Sequence, residues 1–397
     1  MMIELIIKRQ NDLEQIALTD NGKLVEWYEN SDETKKNRLE GNIYLSKVTD
    51  ILPGMQAAFV DFGENKKGFI HLKDVVPQID EKKEKFDSKL DIKDVLKVKD
   101  ELLVQVKKDA VETKGARVST HISIPSKYIV YMPNTTIVTI SQKIEDENRK
   151  KELLKLISEN LPEGNGAIIR TSSIEASNKE ILNDISKVVK KWKEIKKKAS
   201  LCKNTPKLIA ESEEIQEKII TDLACKGLEK VIVDNEKEYN TIKKCVEMQD
   251  CNIKIEIEKN KDVLDKYDIE KQIEKMQNRK IWLNCGGFIT IDRTEALTAI
   301  DVNTGKFTGK KDLEKTIFKV NKEATIQIAK ELRLRDIGGI IIIDYIDMKN
   351  QENKEAIEDL LKNCLKQDRA KTQVEGFTRL NLMELTRKCI CGAKEQN

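Results

Sequence analysis

Residues 288–348 read FITIDRTEALTAIDVNTGKFTGKKDLEKTIFKVNKEATIQIAKELRLRDIGGIIIIDYIDM. Gly338 and Gly339 release the chain into four β-branched residues, Ile340 to Ile343, which end on Asp344. A short β-branched run bounded by glycines reads as a buried strand. Upstream, the apolar run Leu297 to Ile300 closes on Asp301. Between them Ile317, Val320, Ala324, Ile328 and Leu332 form the apolar stripe of one long helix, with Asp312 as its N-cap. Arg333 and Arg335 suit the negative end of its dipole. Two acids therefore end two apolar strands joined by a helix. Carboxylates at the C-terminal ends of buried strands are where open α/β sheets place their chemistry.

If those strands are neighbours, Asp301 and Asp344 converge. Two oxygen ligands with an open face suit Mg²⁺, which keeps several waters and bridges to substrate phosphate. The Asn303 amide then orients a water beside the ion. One aspartate alone would more simply cap a turn. Two, with an asparagine close by and a basic loop between, favour the metal site. That loop, Lys306 to Lys311 with Gly305 and Gly309, either receives a phosphate backbone or is a solvated surface loop.

The chain has 397 residues, which implies two to four domains. Its net charge is only +3, so any nucleic-acid site must come from local patches rather than bulk charge. There are just two histidines, His71 and His121. That argues against histidine-centred chemistry and turns a hydrolytic mechanism toward carboxylates and a metal. Eight scattered cysteines fit reduced thiols in a cytoplasmic protein, and neither a signal peptide nor a membrane span is evident.

Residues 1–37 alternate around the hairpin signal Asp20-Asn21-Gly22 and must pair with something later. In residues 38–120 the candidate strands are 42–51, 57–62, 68–72, 101–107 and 117–122, the strand count of an OB-fold barrel. Phe59 and Phe69 fall on adjacent strands near Lys114. They are either a stacking platform for single-stranded nucleic acid or barrel core. Residues 121–215 are mixed: a strand at 128–132, a helix over 143–160, a strand at 167–170 and a helix over 178–199. Arg170 followed by Thr171, Ser172 and Ser173 reads as a phosphate pocket or as a surface arginine entering a helix cap. Residues 216–281 run helix, strand, helix, strand and complete the sheet begun by residues 1–37, before a bridging helix over 271–279. A helix over 350–368 and one or two strands over 372–384 close the chain.

Thr294 to Asp301, Leu332 to Asp336, and Gly338 to Met348 resemble the catalytic domain of the ribonuclease E/G family. The match is long and collinear. The string AAFVDFGENKKGFIHL is similar to the family's OB-fold RNA-binding domain. The resemblance implies an α/β multidomain chain: an RNase H-like subdomain (1–37 and 216–281) interrupted by an OB-fold, S1-type barrel (38–120) and a 5′-sensor domain (121–215). A deoxyribonuclease-I-like α/β catalytic domain (282–385) and a short tail (386–397) follow. It implies a Mg²⁺-dependent endoribonuclease acting on single-stranded RNA, in rRNA and tRNA processing and mRNA decay, leaving a 5′-phosphate and a 3′-hydroxyl. The alternative is an RNA-binding assembly factor without cleavage. On the resemblance, Asp301 and Asp344 are expected to hold the metal with Asn303 assisting, Phe59, Phe69, Lys108, Lys114 and Lys371 to hold RNA, and Arg170 and Thr171 to take a 5′-monophosphate. The family's Ile-Ser-Arg-Arg string is Ile140-Ser141-Gln142-Lys143 here, which implies weaker 5′ sensing. Its Cys-Pro-x-Cys zinc motif is reduced to Cys389-Ile390-Cys391. The expectation is a homodimer without a zinc-linked tetramer, with the two cysteines free on a frayed tail.

Overall fold

The computed structural model describes residues 2–75, 90–110, 114–141, 144, 146–259, 262–305 and 313–391. The basic loop at 306–311, its helix cap Asp312, and Gln142 and Lys143 fall outside the described residues. The chain divides into two compact units, residues 33–222 and residues 1–32 with 223–397.

In the first unit, five strands close into a barrel. Ile43–Leu52 pairs antiparallel with both Ala57–Asp61 and Glu101–Lys108. Gly68–His71 pairs with Ala57–Asp61 and meets Arg117–Ser119, which pairs back onto Glu101–Lys108 and completes the circuit. Val48, Ala58, Val60, Phe62, Ile70, Val104, Val106 and Val118 alternate inward and fill the interior. A sixth strand, Lys207–Ala210, joins Ile43–Leu52 from outside. Sequence patterning missed it, because four residues carry too little alternation to announce a strand.

The same unit holds a four-stranded sheet ordered Val138–Ile140, Gly166–Ile169, Ile129–Met132, Ile124–Pro125. Helices Glu147–Asn160 and Asn178–Ser200 share its core through Leu153, Ile157, Ile181, Ile185, Val188 and Trp192. The first helix starts later than the expected residue 143, because the Asp146 side chain accepts from the Asn148 and Arg149 N–H groups and sets the cap there.

In the second unit, Ile3–Gln10, Leu13–Asp20 and Lys23–Ser31 form an antiparallel meander. Asn21 and Gly22, both at positive φ, turn its second hairpin. Ile3–Gln10 pairs in parallel with Leu228–Val233, which pairs in parallel with Lys254–Ile257. The early and late segments thus share one sheet.

The other sheet of this unit runs Lys280–Trp282, Phe288–Arg293, Leu297–Asn303, Gly339–Asp344, Leu382–Arg387, Thr372–Phe377. One face is apolar: Ile289, Ile291, Ile300, Val302, Ile341, Ile343, Met383 and Leu385. Helices Leu313–Leu334 and Gln351–Leu365 cover it with Val320, Ala324, Ile328, Leu332, Ile357, Leu361 and Leu365. Each fully buried side chain of this size contributes about 1.5–3 kcal/mol, which pins the strand register. Leu297–Asn303 and Gly339–Asp344 are parallel, so they need a crossover, and the long helix between them supplies it.

Candidate active site and nucleic-acid surfaces

The parallel pairing sets Asp301 directly opposite Asp344. Because Ile300, Val302 and Ile343 are committed to the core, both aspartates point to the opposite, open face and are exposed. Asp301 does not end its strand as expected. Pairing with Phe288–Arg293 carries the strand on to Asn303, which keeps the asparagine on the face of Asp301. The Asn303 amide donates to the Asp301 carboxylate and fixes its orientation. Burial, then the charges of Asp301 and Asp347, push the Asp344 carboxyl above the usual aspartate range. Two carboxylates set side by side, one of them raised by its neighbours' charge, suit a divalent cation. Among the described residues no group of three or more His, Cys, Asp or Glu side chains is gathered to hold a metal. An ion held by this pair would keep positions open for water and phosphate, as Mg²⁺ does.

On the barrel, register aligns Asp50 with Phe59, Phe59 with Phe69, Phe69 with Arg117, and Arg117 with Lys108. Cross-strand partners share a face, and this row faces outward. The two rings are half-buried, lie outside the barrel core, and meet edge to face at 5.9 Å. Lys108 and Lys114 are exposed. An open hollow of about 510 Å³ beside Phe59 is lined by Asp50, Leu52, Lys66, Lys67 and Gly115. Gly115 is required there, since a Cβ would meet the Lys67 carbonyl oxygen at 2.1 Å. Arg117, which the sequence reading passed over, is held by Asp74 through its Nε (3.0 Å) and Nη2 (2.7 Å). Its outward place in the strand alternation was the available signal.

Arg170 follows the strand Gly166–Ile169 and opens a single 3₁₀ turn, Thr171–Ser173. Its guanidinium donates to the Ser126 carbonyl at 2.8 Å and to the Asp222 carboxylate. Thr171 is half-exposed. The run of three hydroxyls is not a common phosphate surface: Ser172 and Ser173 donate to the Lys127 and Tyr128 carbonyls at 2.6 and 2.7 Å. Those two hydroxyls hold the turn in place. Arg149 braces the same turn by donating to the Ser173 carbonyl at 3.4 Å and, just beyond it, to the Ala176 carbonyl at 2.6 Å. Asp222 and Arg149 were not legible as partners of this site.

Lys371 is exposed just before the strand Thr372–Phe377. The Leu332 to Asp336 string serves the scaffold. Arg333 bonds Glu26 at 2.7 Å, Arg335 bonds Glu331 at 2.6 Å, and Asp336 bonds the buried Arg387 at 2.8 Å. At residues 390 and 391 the tail expected to fray is instead held down, because the Ile390 and Cys391 N–H groups donate to Asp336. Burial, then Asp336, push the Cys389 thiol up.

Residues 39–121 match the S1 RNA binding domain, and residues 123–390 match the Ribonuclease E/G family. The barrel and the acidic sheet face thus sit in the framework of an RNA-processing nuclease. The chain is 36% identical over 395 residues to Ribonuclease G of Escherichia coli K12, covering 98% of this chain and 80% of that protein. It is 36% identical over 392 residues to Ribonuclease G of Haemophilus influenzae, covering 97% of this chain and 79% of that one. Against Ribonuclease E of Escherichia coli K12 it is 35% identical over 389 residues, 97% of this chain and 36% of that protein. The chain belongs to the ribonuclease E/G family. No described helix is long and apolar enough to cross a membrane.

Proposed function

We propose that this protein is a Mg²⁺-dependent endoribonuclease that cuts single-stranded RNA to leave a 5′-phosphate and a 3′-hydroxyl. The observation that carries the reading is the register pairing of Asp301 with Asp344 on the open face of the sheet, with Asn303 beside them. Mg²⁺ bound there supplies positive charge to the phosphoryl oxygen and lowers the pKa of a coordinated water. Asp301 and Asp344 provide the carboxylates for it, and the Asn303 amide keeps Asp301 turned toward the open face. Phe59 and Phe69 stack bases, while Lys108, Lys114 and Lys371 hold the phosphate backbone. Arg170 and Thr171 receive a 5′-monophosphate.

Family likeness supports reading the five-stranded sheet as the RNase H-like part and the six-stranded sheet as the deoxyribonuclease-I-like part. The same likeness supports reading the protein as a cytoplasmic homodimer that acts in rRNA and tRNA processing and mRNA decay. A purely RNA-binding assembly factor is disfavoured, because two exposed acids repel phosphate and serve binding poorly unless a cation sits between them.

Incubation with a labelled, unstructured RNA tests the reading. Cleavage is expected with Mg²⁺ and not with EDTA. Asp301→Asn and Asp344→Asn are each expected to abolish it while RNA binding survives. Near-normal turnover of either variant at saturating Mg²⁺ removes that residue from the site.

A further inference from the structure

We infer that Trp282, Phe288 and Lys280 form a second base-stacking platform, on the edge of the catalytic sheet, for a nucleotide neighbouring the scissile phosphate. This rests on the endoribonuclease reading and assigns part of its substrate path.

The strand register lays out the geometry. Trp282 pairs with Phe288, and Phe288 pairs with Asn303. Two residues along, Lys280 pairs with Thr290, Thr290 with Asp301, and Asp301 with Asp344. Residues two apart in a strand share a face. The rings, the lysine, the asparagine and both acids therefore lie on the same open face in two adjacent rows.

Trp282 is 60% exposed at the sheet edge, while Trp27 and Trp192 are each only 4% exposed. Its ring meets Phe288 edge to face at 5.3 Å. The Lys280 ammonium stands 3.6 Å from the Phe288 ring centre and 4.3 Å from that of Trp282. The hairpin between the two strands is tied down, since Glu323 on the long helix accepts from the Asn284 and Cys285 N–H groups. A Cβ on Gly305 would lie 3.5 Å from the Phe288 ring, so the platform also abuts the segment that follows Asn303.

An exposed indole braced by a second ring, with a cation against both, offers what a nucleotide needs: a π-face for the base and a positive charge for its phosphate. A wholly apolar protein partner would gain nothing from the exposed Lys280 ammonium and would have to desolvate it. The lysine and the row shared with the acidic pair point to RNA as the occupant.

Because the other two tryptophans are buried, Trp282 can be watched directly. A short, unstructured oligoribonucleotide carrying a fluorescein end label is titrated in EDTA. Label anisotropy follows binding while tryptophan emission follows stacking. Emission is expected to be quenched in step with binding, and an abasic residue at one position of the oligonucleotide should abolish the quench. With Mg²⁺ present, Trp282→Ala is expected to raise KM about tenfold with kcat within about twofold. Trp282→Phe should restore most of the loss.

Saturated binding with unchanged emission overturns the platform and leaves the nuclease reading intact. Absence of cleavage by the wild-type protein overturns the nuclease reading, while the quench in EDTA still decides the platform. If Trp282→Ala halves the mass measured by light scattering and leaves KM unchanged, the rings are a protein contact and the inference fails. Should Trp282→Ala not fold, the wild-type quench and the Trp282→Phe kinetics decide alone.

Discussion

Asp344 is ionised against resistance. Burial and the neighbouring Asp301 and Asp347 raise its carboxyl above the ordinary aspartate value. Loading a cation requires the charged form, so cleavage should fall as pH drops through that raised value, earlier than an ordinary aspartate would dictate. Asp347→Asn removes one of the repelling charges and is expected to move the acid limb of the cleavage profile to lower pH. An unmoved limb would mean that another group sets it. Arg170 presents a similar conflict with the signs reversed. Its guanidinium is already engaged by Asp222 and the Ser126 carbonyl, so an incoming phosphate dianion must compete with a carboxylate. Asp222→Ala is therefore expected to increase the rate advantage of 5′-monophosphorylated over 5′-hydroxyl RNA several-fold, and Arg170→Ala to remove that advantage. Paired single-turnover rates on the two substrates decide it. Equal rates for both ends in all three proteins would take Arg170 out of the account.

Among the elements, the barrel shows how strand alternation exports a candidate binding face. The inward positions are taken by Val48, Val60, Ile70, Val104 and Val118, so the pleat turns Phe59, Phe69, Arg117 and Lys108 outward as one row. The two rings therefore carry little of the core, and their loss should affect ligands more than folding. Phe59→Ala or Phe69→Ala is expected to weaken single-stranded RNA binding by about 1–3 kcal/mol and to leave the melting transition close to that of the wild type. A variant that melts far earlier and loses secondary structure would return the ring to the core. The sequence left these two readings balanced, because a phenylalanine in a strand looks the same from either face. Only the register of the neighbouring strands separates them.

For the molecule as a whole, the buried carboxylate of Glu26 binds distant parts of the second unit together. It accepts from Arg333 at 2.7 Å, from Arg369 at 2.5 Å and from Tyr28 at 2.8 Å. Burial alone would raise this carboxyl, but Arg369 and then Arg333 outweigh it and hold the value at about 2. The folded value lies below the unfolded one. The contribution is thus complete above about pH 5 and is lost as pH falls toward 2. Glu26→Gln leaves buried guanidinium charge without its counterion and is expected to cost about 3–5 kcal/mol in denaturant unfolding at neutral pH. It should also flatten the acid dependence of stability. A loss under about 1 kcal/mol would show that solvent or another acid replaces Glu26.

The sequence alone determined the pieces whose signal is local. The glycine-bounded run into Asp344, the stripe of the long helix, the Asn21-Gly22 hairpin and the alternation of the barrel strands each follow from patterns a few residues long. Those patterns also singled out Asp301, Asn303 and Asp344 as candidates before any pairing was known. Only the tertiary structure decided what those pieces meet. It set Asp301 opposite Asp344, Asp222 against Arg170, Glu26 against Arg333 and Arg369, and Phe69 beside Arg117. The tail went the same way: Cys389 to Cys391 look frayed in sequence and are held by Asp336 in space. The physical reason is one of range. Local patterns record which face of an element is apolar, whereas partners far apart in the chain are chosen by burying those faces together, and a one-residue slip of their strands would turn Asp301 and Asp344 toward the core.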